Sequence, residues 1–314
     1  MLCFVAIVFI PKESKANGKY GPLLSYAQSP IQTNSLTPQL RSGLPLTADD
    51  VQLYSSFTAA SIWIDTPDYH ADYYQNQLFV GSKWQANEKW QFDVNYRWGF
   101  AANNYLDGPT KSFHDWFGID QNGRDEVDNH QFTLSMPKYG IDESNFKGDT
   151  ITSAVSFYGQ YQLLETEDYG LSIGSALFYN RVSSGAFKGN NLEQSLQLNY
   201  TYLLEKHSFF SSLGFNYRYN HDVIGDFPLD ALSWTLIGGY QYQVFEKHQL
   251  HAEYRIYEGA EDGHSEFSRL VHEALLGYRY IMDQSALELS LVENMFNMDN
   301  STDIAFTFGF RYKL

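Results

Sequence analysis

Residues 90–100 read Trp-Gln-Phe-Asp-Val-Asn-Tyr-Arg-Trp-Gly-Phe. The even positions, Trp90, Phe92, Val94, Tyr96, Trp98 and Phe100, are all apolar or aromatic. Between them stand Gln91, Asp93, Asn95, Arg97 and Gly99. Successive side chains on a strand point to opposite faces, so this stretch forms one apolar face and one polar face. A helix would scatter the same residues around its circumference. Aromatic residues at both ends of an apolar strand face are what a transmembrane β-barrel presents to its two lipid–water interfaces. A strand of a soluble sandwich would show the same alternation once, so recurrence decides between them.

The alternation recurs from residue 51 to the end. It predicts strands near 51–64, 73–84, 89–101, 150–164, 170–182, 191–204, 208–220, 230–245, 249–258, 269–281, 286–294 and 303–314. In one of them Leu192, Leu196, Leu198, Tyr200, Tyr202 and Leu204 share a face opposite Glu193, Ser195, Gln197, Asn199 and Thr201. The last strand aligns Ile304, Phe306, Phe308, Phe310, Tyr312 and Leu314. This resembles the aromatic C-terminal signal read by the barrel-assembly machinery, with Leu in place of the usual final Phe. Short links at 205–207, 246–248 and 282–285 alternate with longer ones at 183–190, 221–229, 259–268 and 295–302. Outer-membrane barrels have short periplasmic turns and longer extracellular loops, and bacterial single-chain barrels have an even strand count. The expected fold is therefore an all-β, antiparallel transmembrane β-barrel of twelve strands, with fourteen as the alternative. Phe132–Met136 could add a strand, but inside the wall it would invert the short/long rule downstream. It is assigned to one long extracellular excursion, residues 102–149.

Bulk properties fit this reading. The chain has 314 residues, 24 Tyr and 23 Phe. Its formal charge of −16 argues against nucleic-acid binding through phosphates. No apolar run long enough for a membrane helix follows the N-terminus. Residues 2–10 (LCFVAIVFI) look like the apolar core of a secretory signal, with Ser14 and Ala16 suited to cleavage after residue 16. Such cleavage would remove Cys3, the only cysteine, and with it any disulfide or thiolate metal site. Residues 17–50 carry Pro22, Pro30, Pro38 and Pro45 and read as extended, non-sheet chain. Leu23, Leu24, Tyr26 and Ile31 in that segment need a surface to cover. Docking into the barrel mouth as a plug would supply one; a free periplasmic tail is the alternative.

Two stretches carry a family resemblance. One is Gly21-Pro22-Leu23 with Gln28-Ser29-Pro30. The other is Leu106-Asp107-Gly108, then Phe113-His114-Asp115-Trp116-Phe117-Gly118, then Gly123-Arg124. Together they resemble a family of Gram-negative outer-membrane barrels known as domain of unknown function 3187. The resemblance implies a barrel and an outer-membrane address and supplies no activity.

Two groups of residues could carry function. In the excursion, Asp107, His114, Asp115 and Arg124 form a candidate site, and Trp116, Phe113 and Phe117 are expected to be the loop's own small core. A His near carboxylates can serve as base or ligand. Metal-ligand spacing is lacking there, so salt bridges that fold the loop are the leading reading, and no metal, cofactor or catalytic residue is assigned. A barrel lipase would need a Ser and a His on the lipid face, and the lipid-facing sets quoted above carry no His. The lumen-facing parity collects Asp93, Arg97, Glu193, Arg218, Glu253, Arg255, Glu273, Arg279, Glu288, Arg311 and Lys313. Counting from the turn centres puts Arg218 beside Glu193 and Arg279 opposite Glu288, with Arg255 diagonal to Glu273. The expected function is a porin-like pore for a small hydrophilic solute, set among outer-membrane lipid and lipopolysaccharide. A closed barrel acting as a surface-structure or interaction protein is the rival reading, and a lipase-type enzyme comes third.

Overall fold

The computed structural model describes residues 20–25, 29–118, 123–219, 227–261, 263 and 265–314. The expected signal segment, Cys3, Tyr26 and Asn220 lie outside this set. In chain order the strands are β1 (Val51–Asp65), β2 (His70–Gln85), β3 (Trp90–Ala101), β4 (Thr133–Met136), β5 (Ile141–Ser144), β6 (Thr150–Glu165) and β7 (Tyr169–Val182). They continue with β8 (Gly189–Leu204), β9 (His207–Arg218), β10 (Leu232–Phe245), β11 (His248–Tyr257), β12 (Val271–Ile281), β13 (Ser285–Phe296) and β14 (Ile304–Lys313). One α-helix, α1 (Asp107–Phe117), lies in the excursion.

Every neighbouring pair in the wall is antiparallel, and β1 pairs with both β2 and β14, which closes the sheet on itself. The ring holds twelve strands. The remaining two, β4 and β5, hang from the start of β2 through His70↔Ser135 and Asp72↔Thr133. Closure satisfies the wall's backbone internally, which is what a lipid environment demands.

The alternation of Trp90–Phe100 is literal in three dimensions. Val94 is 49% exposed, whereas Asp93, Asn95 and Arg97 are buried inside the ring. Trp84 and Trp90 form an outward aromatic group near the short-turn end, and Trp98 stacks on Phe100 toward the other end. Parity along β1 puts Trp63 on the lipid-facing side with Leu53 and Phe57, where an aromatic girdle is expected, yet it is 5% exposed. It sits near the loop end of β1, where the excursion covers the outer wall and Arg124 lies over its ring.

The largest apolar core is not in the barrel but across its loop end. Ile31, Tyr73, Phe132, Met136, Tyr139, Phe146, Phe187, Phe227 and Phe267 belong to one cluster contributed by several loops, the ends of β1 and β2 and the Pro-rich segment. Of the residues expected to form the excursion's own core, Phe113 is half-buried and the Phe117 side chain lies outside those described. Trp116 is 89% exposed on α1, while Phe132, Leu134, Met136 and Phe146 take the core role. α1 runs from an acidic first turn at Asp107 to Gly118, whose φ of 65° ends it in the left-handed conformation glycine favours.

Candidate functional site

The polar lumen is occupied by the chain's own Pro-rich segment. Residues 20–25 and 29–50 enter at the short-turn end, climb past β12–β14, turn near Ser29–Ser35 and descend along β7–β9. The path is traced by contacts. Tyr20 packs with Ile281 and Ala286, Leu23 with Ala60, Leu275 and Val292, Leu36 with Tyr158 and Phe178, and Leu40 with Phe210 and Ile237. Prolines and the absence of alternation keep this strap from adding a strand, so its backbone needs other partners. The turn closes itself through Gln32 N–H to the Ser29 carbonyl at 3.1 Å and Ser35 N–H to the Gln32 carbonyl at 2.9 Å. Wall side chains do much of the rest.

Arginines hold the ascending leg. Arg279 donates to the Gly21 carbonyl at 2.8 Å and the Pro22 carbonyl at 3.2 Å. Arg311 donates to the Tyr20 carbonyl at 2.8 Å and the Pro22 carbonyl at 2.5 Å. Both guanidinium groups share Glu288, at 2.6 Å from Arg279 and 2.7 Å from Arg311. Arg255 donates to the Ser25 hydroxyl, and Arg97 to the Ser35 carbonyl at 3.0 Å. Amides and a carboxylate hold the descending leg. Glu193 accepts from Leu36 N–H at 2.9 Å, Asn216 donates to the Leu36 carbonyl at 2.6 Å, and Gln162 donates to the Gly43 carbonyl at 2.7 Å. Arg41 of the strap reaches the wall's Asp93 at 3.1 Å. Backbone approaches backbone where Gly43 faces Gly170. A Cβ on either glycine would lie within 2.5 Å of the other's carbonyl oxygen. Beside the descending leg lies a cavity of about 20 Å³ lined by Leu36, Pro38, Arg41, Asn95 and Tyr158 among others.

The structure brings several of the expected charges together. Arg279 and Glu288 are register partners and ion-paired, and Arg218 opposes Glu193 with Nε 3.5 Å from its carboxylate. Arg255 and Glu273 are direct register partners rather than diagonal ones, yet each takes other side-chain partners. Arg255 pairs with Glu253 at 3.0 Å, and Glu273 accepts from Tyr257 and Ser301. Asp93 and Arg97 each serve the strap rather than one another. The strap residues that meet these charges escaped the sequence reading, because a backbone carbonyl carries no sequence signal.

At the loop end, the excursion clasps the outside of the wall. Tyr74, Ser61 and Glu293 stand at outward-facing positions of β2, β1 and β13, yet all are buried beneath it. Arg124 bridges Asp107, at 3.0 Å, and Asp303, and also donates to Ser61. Asp107 accepts from Tyr74 and, at 3.1 Å, from His130 N–H. Burial alone would raise the Asp107 carboxyl, but the Tyr74 and Arg124 hydrogen bonds and the Arg124 charge outweigh it and hold it below the usual range. His114 Nε2 lies 3.3 Å from both Glu293 and Asp303. Of the four expected excursion residues, Asp107, His114 and Arg124 converge in this buried network, while Asp115 faces outward on α1. Glu293 and Asp303 were not anticipated. An acid at a lipid-side position of β13 was the available signal.

A closed twelve-stranded antiparallel ring with an apolar exterior, a polar interior and a loop-built cap is the architecture of outer-membrane β-barrels. Residues 1–314 match the family described as "Protein of unknown function (DUF3187)", and the chain belongs to that family. Among solved structures, the COG4313 outer-membrane channel from Pseudomonas putida F1 superposes with a TM-score of 0.56 at 10% identity, over 89% of this chain and 100% of that one. The NanC porin gives a TM-score of 0.47 at 11% identity, over 84% of this chain and 100% of that one. These likenesses concern the fold. No curated protein sequence matches.

Proposed function

We propose that this protein is a gated outer-membrane channel for small hydrophilic solutes, closed in the present state by its own N-terminal strap. The observation that carries the reading is the strap's mode of attachment. Its backbone is held through long runs by wall side chains rather than by strand pairing. It can therefore leave without breaking the closed ladder that holds the barrel together. The short turns are periplasmic, the long loops extracellular, and the aromatic outer face meets lipid and lipopolysaccharide. The C-terminal strand is the recognition element for the assembly machinery. The protein is not an enzyme on this reading, and its acidic charge suits no nucleic acid.

The lumen also sets a solute class. With the strap withdrawn, the wall presents Lys83, Arg97, Arg218, Arg255, Arg279, Arg311 and Lys313 against Asp93, Glu193, Glu253, Glu273 and Glu288. Seven bases against five acids leave a small basic excess, reduced by Asp50, which precedes β1 and pairs with Lys313. Arg279 and Arg311 now fork onto carbonyl oxygens, and a carboxylate or phosphate would satisfy the same donors more strongly. The test is the reversal potential of a strap-deleted barrel in a salt gradient across a planar bilayer. Anion preference supports the assignment, and cation preference refutes it. The rival, a closed barrel with a surface role, draws on Tyr105 and Trp116, exposed at 72% and 89% beyond the loop end. A strap-deleted barrel that assembles yet never conducts would favour that rival.

A further inference from the structure

The geometry points to a divalent transition-metal site formed by His114, Glu293 and Asp303, which would fasten the excursion to the outer barrel wall. The three residues come from α1, the loop end of β13 and the approach to β14, and all three are buried. One donor atom from each falls within 4.8 Å of the others. His114 Nε2 lies 3.3 Å from Glu293 Oε1 and 3.3 Å from Asp303 Oδ1. A tetrahedral ion with bonds of about 2.0–2.1 Å has donor–donor edges of about 3.3–3.4 Å. The two measured separations are therefore already those of adjacent ligands.

Three further observations support an ion over a simple histidine–carboxylate bridge. Glu293 Oε2 is buried and has no hydrogen-bond partner among the described residues. That is an expensive arrangement unless another ligand takes it up. Asp303 divides its oxygens: Arg124 holds Oδ2, which leaves Oδ1 turned to His114. Outer partners of this kind orient metal-ligating carboxylates. The charges also call for a cation. Among the described residues, Asp107, Glu293 and Asp303 meet one arginine, Arg124, and two histidines, His114 and His130, so the carboxylates outnumber the permanent cations. One divalent ion would offset the excess.

The donor set identifies the class. One imidazole nitrogen and two carboxylates suit Zn2+ or a neighbouring first-row ion, whereas Ca2+ and Mg2+ favour all-oxygen shells. The site would act as a clip. Its histidine belongs to the excursion and its acids to the wall, so metal binding joins the two.

The experiment uses the full-length barrel folded in detergent, stripped with EDTA and then dialysed against Zn2+ or Ca2+. Bound metal is counted by elemental analysis, and the excursion is probed by limited proteolysis. Binding of one Zn2+ per chain is expected, with cleavage within 102–149 slowed by Zn2+ and restored by EDTA. His114→Ala and Glu293→Gln should each lose the ion and the protection while keeping heat-modifiable mobility. Absence of stoichiometric Zn2+ in the wild type, preference for Ca2+, or equal binding by assembled variants would each overturn the proposal. Should a variant fail to assemble, the metal-dependent protection of the wild type decides alone.

Discussion

The barrel wall and the strap inside it are built from the same chain by opposite means. Wall strands pair their own backbones, so their side chains are free to face lipid or lumen. The strap has few backbone pairs and depends on those lumen side chains for partners. The difference separates permanence from mobility. Removing the strap costs the wall no ladder hydrogen bond, whereas breaking the wall would strand backbone groups in hydrocarbon. Lumen charges thus serve two masters, one another and the strap.

The sharpest way to break this division is at Glu288. It lies between Arg279 and Arg311, and all three are buried. Glu288→Ala should destabilise the barrel by about 3–5 kcal/mol, because it leaves buried cations uncompensated. Adding Arg279→Ala should restore part of that loss. The double-mutant cycle is read from unfolding followed by heat-modifiable gel mobility. Additive effects would mean that the strap carbonyls, not Glu288, hold the arginines.

The wall's outer face gives the next effect in size. Val94→Arg, mid-strand and half exposed, should cost about 2–4 kcal/mol in a bilayer-folded sample. A cost near zero would place Val94 away from the hydrocarbon. Gly170→Val strikes the boundary between the two regions, since its Cβ would meet the Gly43 carbonyl at 2.5 Å. It should loosen the strap, measured as faster hydrogen exchange at residues 36–46, with little change in barrel melting.

The smallest effect concerns the excursion. The Asp107 carboxyl is held below its ordinary range, so its contribution is present above about pH 3.9 and is lost as pH falls through the depressed value. Asp107→Asn should remove that acid-side loss. Proteolysis of the excursion against pH, in wild type and variant, checks it.

Legibility in the sequence follows the same division. The strand periodicity of Trp90–Phe100 and its repeats marked all twelve wall strands, because a two-residue period is dictated by backbone geometry alone. The Arg279–Glu288 pairing followed from counting around a tight turn. Arg255 and Glu273 show the limit of that method: register places their Cα atoms opposite, but Glu253, Tyr257 and Ser301 offer competing partners. Trp63 misled because parity cannot tell lipid from a covering loop. Residues 20–50 have no period, so their composition announced non-sheet chain without revealing a path. His114 stood out in the sequence, but its two acidic partners did not, for another reason. Its acids lie 179 and 189 positions away in the chain, brought near only because the ring closes.

Single-channel recording on a tethered strap shows most directly whether the strap closes the lumen. Pro38 Cβ lies 2.7 Å from where a Cβ on Gly214 would sit, so a small outward shift would give cystine geometry, about 3.8 Å between Cβ atoms. In a chain without Cys3, Pro38→Cys/Gly214→Cys should be silent when oxidised. It should open in discrete steps once reduced, and the barrel lacking residues 20–46 should stay open throughout. Full conductance in the oxidised, cross-linked barrel would contradict the account, because a strap pinned in the lumen would then not be what closes it.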